Sequence, residues 1–296
     1  MLLHVRSMPF EVRLVELRYA DAHCHVNPVN GLGAERVAAK FRKVGGWFIA
    51  LVALSPSHYG FKPFAVEGYE RVAALLAREV EAVRRVGLEA AGFLGIHPAE
   101  VDRMVAQMGV EEAYRRGIEL VEAVARLCLR YGFTGLGEVG RPHYQCRAES
   151  ITICNLILDR ALELARDYGL LVHLHLEQAG EATARDVSQR LKSALQRRMV
   201  AVHHARGDTL KGCLKEGLWM TVPARRDDLK LAFKQPPHYM VESDFLDDPK
   251  RPGAVVEPFR IPEEIAGAAG EVEVDEEYLW RICVDNVVEF YGVKPP

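Results

Sequence analysis

Short apolar runs recur along the chain, each followed by a longer stretch in which apolar positions return every three or four residues. The first pattern suits a strand covered on both faces and the second an amphipathic helix, so the chain reads as repeated strand-then-helix units. The runs predict strands at 18–25, 47–54, 90–97, 133–139, 170–175, 200–203, 218–222 and 239–244. Helical periodicity predicts helices at 34–44, 69–86, 111–131, 150–168, 179–196, 209–216 and 227–233, with a last one at 275–291. Gly45, Gly87, Gly132, Gly169 and Gly217 stand where several of these helices should stop, and a strand begins just beyond each.

Eight such units in 296 residues fit an α/β fold of the TIM-type (β/α)8 barrel, whose active site is built at the C-terminal ends of its strands. The rival is an open doubly wound sheet, which in its dinucleotide-binding form carries a G-x-G-x-x-G turn after the first strand. Only Gly31-Leu32-Gly33 approaches that wording, and it lacks the third glycine. No low-complexity segment or linker interrupts the pattern, so residues 1–296 are expected to form a single barrel domain.

With 49% hydrophobic and 27% charged residues the chain is globular in composition, and at this length folding should hide roughly three-quarters of the unfolded surface. A formal net charge of -3 excludes a global positive field of the kind that holds a chain on nucleic acid, so a polyanion would need a local basic patch. The six cysteines include no C-x-x-C pair, which argues against a zinc ribbon or a disulfide framework and makes a reducing cytoplasm the expected location. His4 and Arg6 break the N-terminal apolar run, and no uninterrupted apolar stretch is long enough to span a bilayer. No membrane association is expected, and oligomeric state leaves no mark in the sequence.

Most of the 11 histidines fall at the ends of predicted strands. In Asp21-Ala22-His23-Cys24-His25, residues two apart share a strand face, so His23 and His25 can converge on one ion while Cys24 points away. Alone, such a pair also fits two hydrogen-bonded core histidines. Glu138, His175, His203 and Asp244 add four further nitrogen or oxygen donors at matching strand ends. A buried carboxylate without a partner is costly, so acids that close apolar strands call for a cation or a strong hydrogen-bond network. Four imidazoles and two carboxylates suit a divalent pair, with zinc first and Mn2+, Mg2+, Fe2+ or Co2+ also compatible.

In order and wording, DAHCH, GIHP, GEVG, HLEQA, VHHARG and ESDF resemble the motif series of the TatD-like metal-dependent hydrolases, within the amidohydrolase superfamily. The likeness runs from about Tyr19 to Tyr291 and includes Asn286 near the end. It implies that His23 and His25 hold one metal with Asp244, that Glu138 bridges, and that His175 and His203 hold the second. It also implies a hydroxide activated between the two ions as nucleophile, with Asp244 as general base and then acid. His97, in GIHP, matches a substrate-side histidine of the family. His173 shares a face with His175 one pleat deeper, where it would fix a neighbour's tautomer. His204 is expected to point out of the barrel, because adjacent strand residues alternate faces.

The wording also departs from the family. Where members commonly read G-E-x-G-L-D, this chain has Gly140-Arg141-Pro142-His143-Tyr144, and in place of H-x-R-D-A it has His175-Leu176-Glu177-Gln178-Ala179. Glu177 would repel an anion, while Arg141 or Arg206 would restore positive charge at the mouth; Arg225, Arg226, Lys230 and Lys234 suit a solvated helix face. The loops holding Ser57-His58-Tyr59-Gly60-Phe61 and His143-Tyr144-Gln145 should lie over the mouth, where Arg141, His143 and His97 are the candidate substrate binders. Three functions follow as expectations. The resemblance favours a phosphodiesterase or deoxyribonuclease acting on a phosphodiester or DNA; a carbon–nitrogen or lactone hydrolase of a small molecule would use the same centre; a barrel with purely structural metal would need a closed site.

Overall fold

The computed structural model describes residues 17–191, 193–248 and 256–296; the N-terminal run containing His4 and Arg6 lies outside them. Nine parallel strands form one sheet: β1 (Tyr19–His25), β2 (Gly46–Val52), β3 (Glu89–Leu94), β4 (Gly135–Gly140), β5 (Leu171–His175), β6 (Val200–Val202), β7 (Trp219–Pro223), β8 (Met240–Glu242) and β9 (Phe245–Leu246). The helices are α1 (Ala34–Arg42), α2 (Val66–Val86), α3 (Pro98–Met108), α4 (Val110–Tyr131), α5 (Ala148–Tyr168), α6 (Glu181–Arg190), α7 (Ala194–Arg198), α8 (Gly207–Glu216), α9 (Arg226–Ala232), α10 (Ile261–Ala269), α11 (Glu276–Trp280) and α12 (Asn286–Tyr291). The expected barrel is the observed fold. Each strand pairs with the next in sequence from β1 to β8, and β9 returns to pair with β1.

β8 and β9 are one strand interrupted at Ser243 and Asp244, and this interruption closes the cylinder. β8 bonds to β7 and β9 to β1, while between them the Asp244 amide donates to the His23 carbonyl at 2.9 Å. Asp21 stitches the seam from the other side, its carboxylate accepting from the Ser243 amide at 2.8 Å and from the Ser243 hydroxyl at 2.5 Å. Asp244 takes a positive φ of 49°, which a regular strand residue does not, so the strand breaks there and its carboxylate is re-aimed.

The strands read as continuous apolar runs because both faces are covered; β2, Gly-Trp-Phe-Ile-Ala-Leu-Val, is buried throughout. Helices α2, α4, α5 and α8 end on left-handed Gly87, Gly132, Gly169 and Gly217, the stops expected from the sequence. Gly140 has a different task. A Cβ there would lie 2.0 Å from the His175 carbonyl oxygen, so only glycine lets β4 approach β5 this closely and set Glu138 beside His175.

Four elements differ from expectation, one of them α10 (Ile261–Ala269), a helix in a stretch where none was expected. α3 is a helix where none was expected: Pro98 occupies its first turn and the His97 ring accepts from the Ala99 amide at 3.0 Å, which caps it. The stretch expected as a helix over 179–196 is split into α6 and α7, with the Ser193 side chain capping the second piece. The last helix contains a π-helical segment, Arg281–Asp285, between α11 and α12. No helix among the described residues is long and apolar enough to cross a membrane.

Candidate metal centre

Every donor picked out in the sequence lies at the C-terminal rim. His23 and His25 end β1, Glu138 lies in β4, His175 ends β5, His203 follows β6 and Asp244 interrupts the last strand. The structure brings all six together. A single oxygen, Glu138 Oε1, is 3.0 Å from His23 Nε2, 3.1 Å from His203 Nε2, and 3.6 Å from both His25 Nε2 and His175 Nδ1. Asp244 Oδ1 lies 3.6 Å from His25 Nε2 and 3.8 Å from His203 Nε2. His23, His25, Glu138 and Asp244 can offer donors that all fall within 4.8 Å of one another.

The proton on His23 can be traced through three side chains. The Tyr291 hydroxyl has one proton, and at 2.7 Å the Ala22 carbonyl can only accept it. The phenol oxygen therefore accepts from His173 Nε2 at 3.0 Å. Burial holds His173 and His23 well below the ordinary imidazole pKa, so both are neutral. His173 Nδ1 must then accept from His23 Nδ1 at 3.0 Å, which leaves a bare lone pair on His23 Nε2. His173 thus stands behind the centre as expected and fixes its neighbour's tautomer.

The other two rings are oriented the same way. His25 Nδ1 donates to the Val52 carbonyl at 2.9 Å, and His203 Nδ1 faces Glu242 Oε2 at 2.8 Å. Both turn Nε2 inward. Burial opposes the charge on His25, but Asp244 and Glu138 outweigh it and raise its pKa to about 10; Glu242 and Asp244 do the same for His203 against its burial. Burial alone would raise Glu138, yet His175, His203 and His23 hold its carboxyl well below the usual range. Without another cation, protons on His25 and His203 supply the positive charge that this carboxylate requires.

Those protons do not satisfy the site. His23 Nε2 has a long 3.3 Å contact from His25 Nε2 while its lone pair also faces Glu138 Oε1 at 3.0 Å, acceptor against acceptor, and neither nitrogen of buried His175 has a hydrogen-bond partner. Unpartnered buried polar atoms are costly, and a cation among them relieves both defects. The donor set, four imidazoles with two carboxylates, suits divalent transition metals. The residues present therefore fit a metal centre.

Residues 20–292 match the TatD related DNase family. The chain belongs to that family. It is 30% identical over 283 residues to the uncharacterized protein MJ1127 of Methanocaldococcus jannaschii, covering 95% of this chain and 98% of the relative. Among solved structures it is similar to YjjV, a TatD homologue from Escherichia coli K12, with a TM-score of 0.64 at 18% identity over 94% of this chain and 99% of that one. The organophosphorus hydrolase of Deinococcus radiodurans has the same fold, with a TM-score of 0.57 at 13% identity over 94% of this chain and 93% of that one.

Where this TatD-family chain departs from the family wording, the structure corrects several expectations. Arg141 does not face the mouth. Its guanidinium is buried, donates twice to Glu177 at 2.8 Å, and also reaches Asp186 and Asn155. That pairing neutralises Glu177 as well, and neither Arg141, Glu177 nor Arg206 lines the central cavity. His204 does not point outward; β6 ends at Val202, and a φ of 43° swings His204 toward His175 and His143, so strand alternation does not apply to it. His97 lines the cavity, but its Nδ1 is used by the α3 cap, which leaves an Nε2 proton facing Glu138 Oε2 at 3.3 Å. His143 lines the cavity and stacks near His175. Tyr59 packs inward and its hydroxyl donates to the Val26 carbonyl.

Sequence reasoning missed Glu242, Tyr291 and Arg103. Glu242 sits two residues before Asp244 in ESDF, and that spacing on one strand face was the available signal. Tyr291 and Arg103 carry no local signal; only the fold brings the first to His173 and the second to the cavity wall.

Proposed function

We propose that this TatD-family hydrolase is a divalent-metal-dependent phosphodiesterase, acting on a small phosphodiester or on the end of a DNA strand. The observation that carries the reading is the convergence of four imidazole nitrogens within 3.6 Å of Glu138 Oε1, beside Asp244. His23, His25 and Asp244 would hold one ion, His175 and His203 the other, with Glu138 between them. Two such ions, zinc first, would acidify a water and offset charge on the phosphoryl oxygens.

The chain's own residues supply the rest. Asp244 is the one acid of the centre with appreciable exposure, at 28%, and it lines the cavity. Burial would raise its pKa, but His203 and His25 outweigh that and keep it ionised, ready to accept a proton from attacking water at its carboxylate and return it to the leaving oxygen. His97 donates to the second oxygen of Glu138 and holds that carboxylate in place. The cavity, about 460 Å³, has Arg103 as its sole Lys or Arg among the described lining residues, and an arginine there suits a phosphate. That open cavity argues against a purely structural ion, which would need a closed coordination shell.

The test is turnover by the metal-loaded protein of bis-p-nitrophenyl phosphate, single-stranded DNA, an amide series and a lactone series. Phosphodiester cleavage that EDTA abolishes, with Arg103→Ala raising KM more than it lowers kcat, is expected. Turnover of lactones or amides alone would overturn the phosphodiesterase reading while keeping the centre.

A further inference from the structure

A second convergence of imidazoles lies against the first. His143 in the loop after β4, His175 at the end of β5 and His204 in the turn after β6 each offer one ring nitrogen within 4.8 Å of the others. Ring centroids are 4.6 Å apart for His143 and His175, 5.0 Å for His175 and His204, and 5.3 Å for His143 and His204. His175 and His204 are both about 5% exposed. Groups so deeply buried ordinarily find partners, yet His204 Nε2 has none and neither does either nitrogen of His175. The unpartnered atoms come from two separate chain segments, the end of β5 and the turn after β6, which meet beside His143 at the cavity wall.

We propose that His143, His175 and His204 bind a transition-metal ion of their own beside the Glu138 centre, with His175 shared between the two sites. The donors explain the class of ion. Three imidazoles without a carboxylate favour Zn2+, Co2+, Ni2+ or Cu2+ over Mg2+ or Ca2+. Zn–N bonds of 2.0–2.1 Å in tetrahedral array put the nitrogens about 3.3 Å apart, so the rings, now within 4.8 Å, must draw in by up to about 1.5 Å. His143 is exposed on its loop and can make that movement. A neutral imidazole carries one proton, so ligation through both nitrogens of His175 releases that proton to solvent. Three histidines leave a coordination position open, and the cavity is the space beside it.

The proposal rests on the binuclear reading only through His175, and the two fail differently. The full-length chain is stripped of metal, reloaded with zinc, dialysed and assayed for zinc per chain, with a parallel cobalt titration followed by visible absorption. Two separate variants are compared with it: His143→Ala, on the exposed loop, and His204→Asn, whose side chain tolerates the positive φ. About three zinc ions per chain are expected, falling to about two in either variant, with loss of one cobalt absorption phase. A third equivalent that persists in both variants overturns the assignment. So does a wild-type chain whose zinc content neither variant lowers, whatever its total. The Glu138 centre fails separately, if His23→Ala with His25→Ala removes no ion.

Discussion

Two charged clusters flank the end of β4, three residues apart in sequence, and they are built on opposite principles. Around Arg141 every charge meets its complement: Glu177 accepts two bonds from one guanidinium, and Asp186 is gripped by both Arg141 and Arg190. Around Glu138 the partners do not complement one another. One carboxylate oxygen faces four imidazole nitrogens, one of which presents a lone pair, and neither ring nitrogen of His175 has a hydrogen-bond partner. A network that closes on itself is structural, whatever its burial, whereas one that leaves like faced against like is built around something the chain does not supply. The contrast separates the two clusters more sharply than charge does, since each sets buried cations or imidazoles against acids.

Breaking the Glu138 side should have the larger effects. His23→Ala with His25→Ala is expected to remove at least one metal ion per chain and abolish turnover, read by elemental analysis and steady-state assay. Asp244→Asn should lower kcat by about 10²–10⁴-fold with most metal retained, as loss of a proton-transfer group does. Tyr291→Phe tests the relay without touching the site: losing the hydroxyl that sets His173 should weaken metal affinity about 10–100-fold in a competition titration with a chelator. Arg141→Met belongs to the other cluster and should cost about 1–3 kcal/mol in denaturant unfolding, a range discounted because Glu177 and Asp186 are partly exposed, with metal content unchanged.

The smallest effect is a pH dependence. Burial would raise the Asp186 pKa, but Arg190 and Arg141 outweigh it and hold the folded value below 3.8. A depressed folded pKa contributes stability above the unfolded value and loses it as pH falls through the folded one. Asp186→Asn should therefore lower Tm at neutral pH, and its difference from wild type should shrink below about pH 4. A difference that grows in acid would show that the Arg141 cluster is not what stabilises that carboxylate.

The strands were legible because their runs are apolar on both faces and end in donors, so the order of His23, Glu138, His175, His203 and Asp244 already traces a rim. What escaped the sequence was where regularity stops. His204 follows the alternation rule only while β6 lasts, and it lies two residues past its end. α3 begins at His97-Pro98, a helix start written in a capping ring and a proline, where the pattern suggested only a strand end. Arg141 looked like a cation at the mouth because its partners, Glu177 and Asp186, come from segments that only folding brings beside it. Supporting residues are harder to see than ligands for the same reason: Tyr291 and His173 are 118 positions apart.

The seam has a consequence for how this chain comes to life. Its first strand waits for its last across 222 positions, joined by the Asp21 carboxylate and the Ser243 hydroxyl. A chain emerging from the ribosome can assemble most of the rim well before Asp244 is made, yet the acid arrives only with the stroke that shuts the cylinder. On the proposed role of Asp244, chemical competence then waits for completion of the wall.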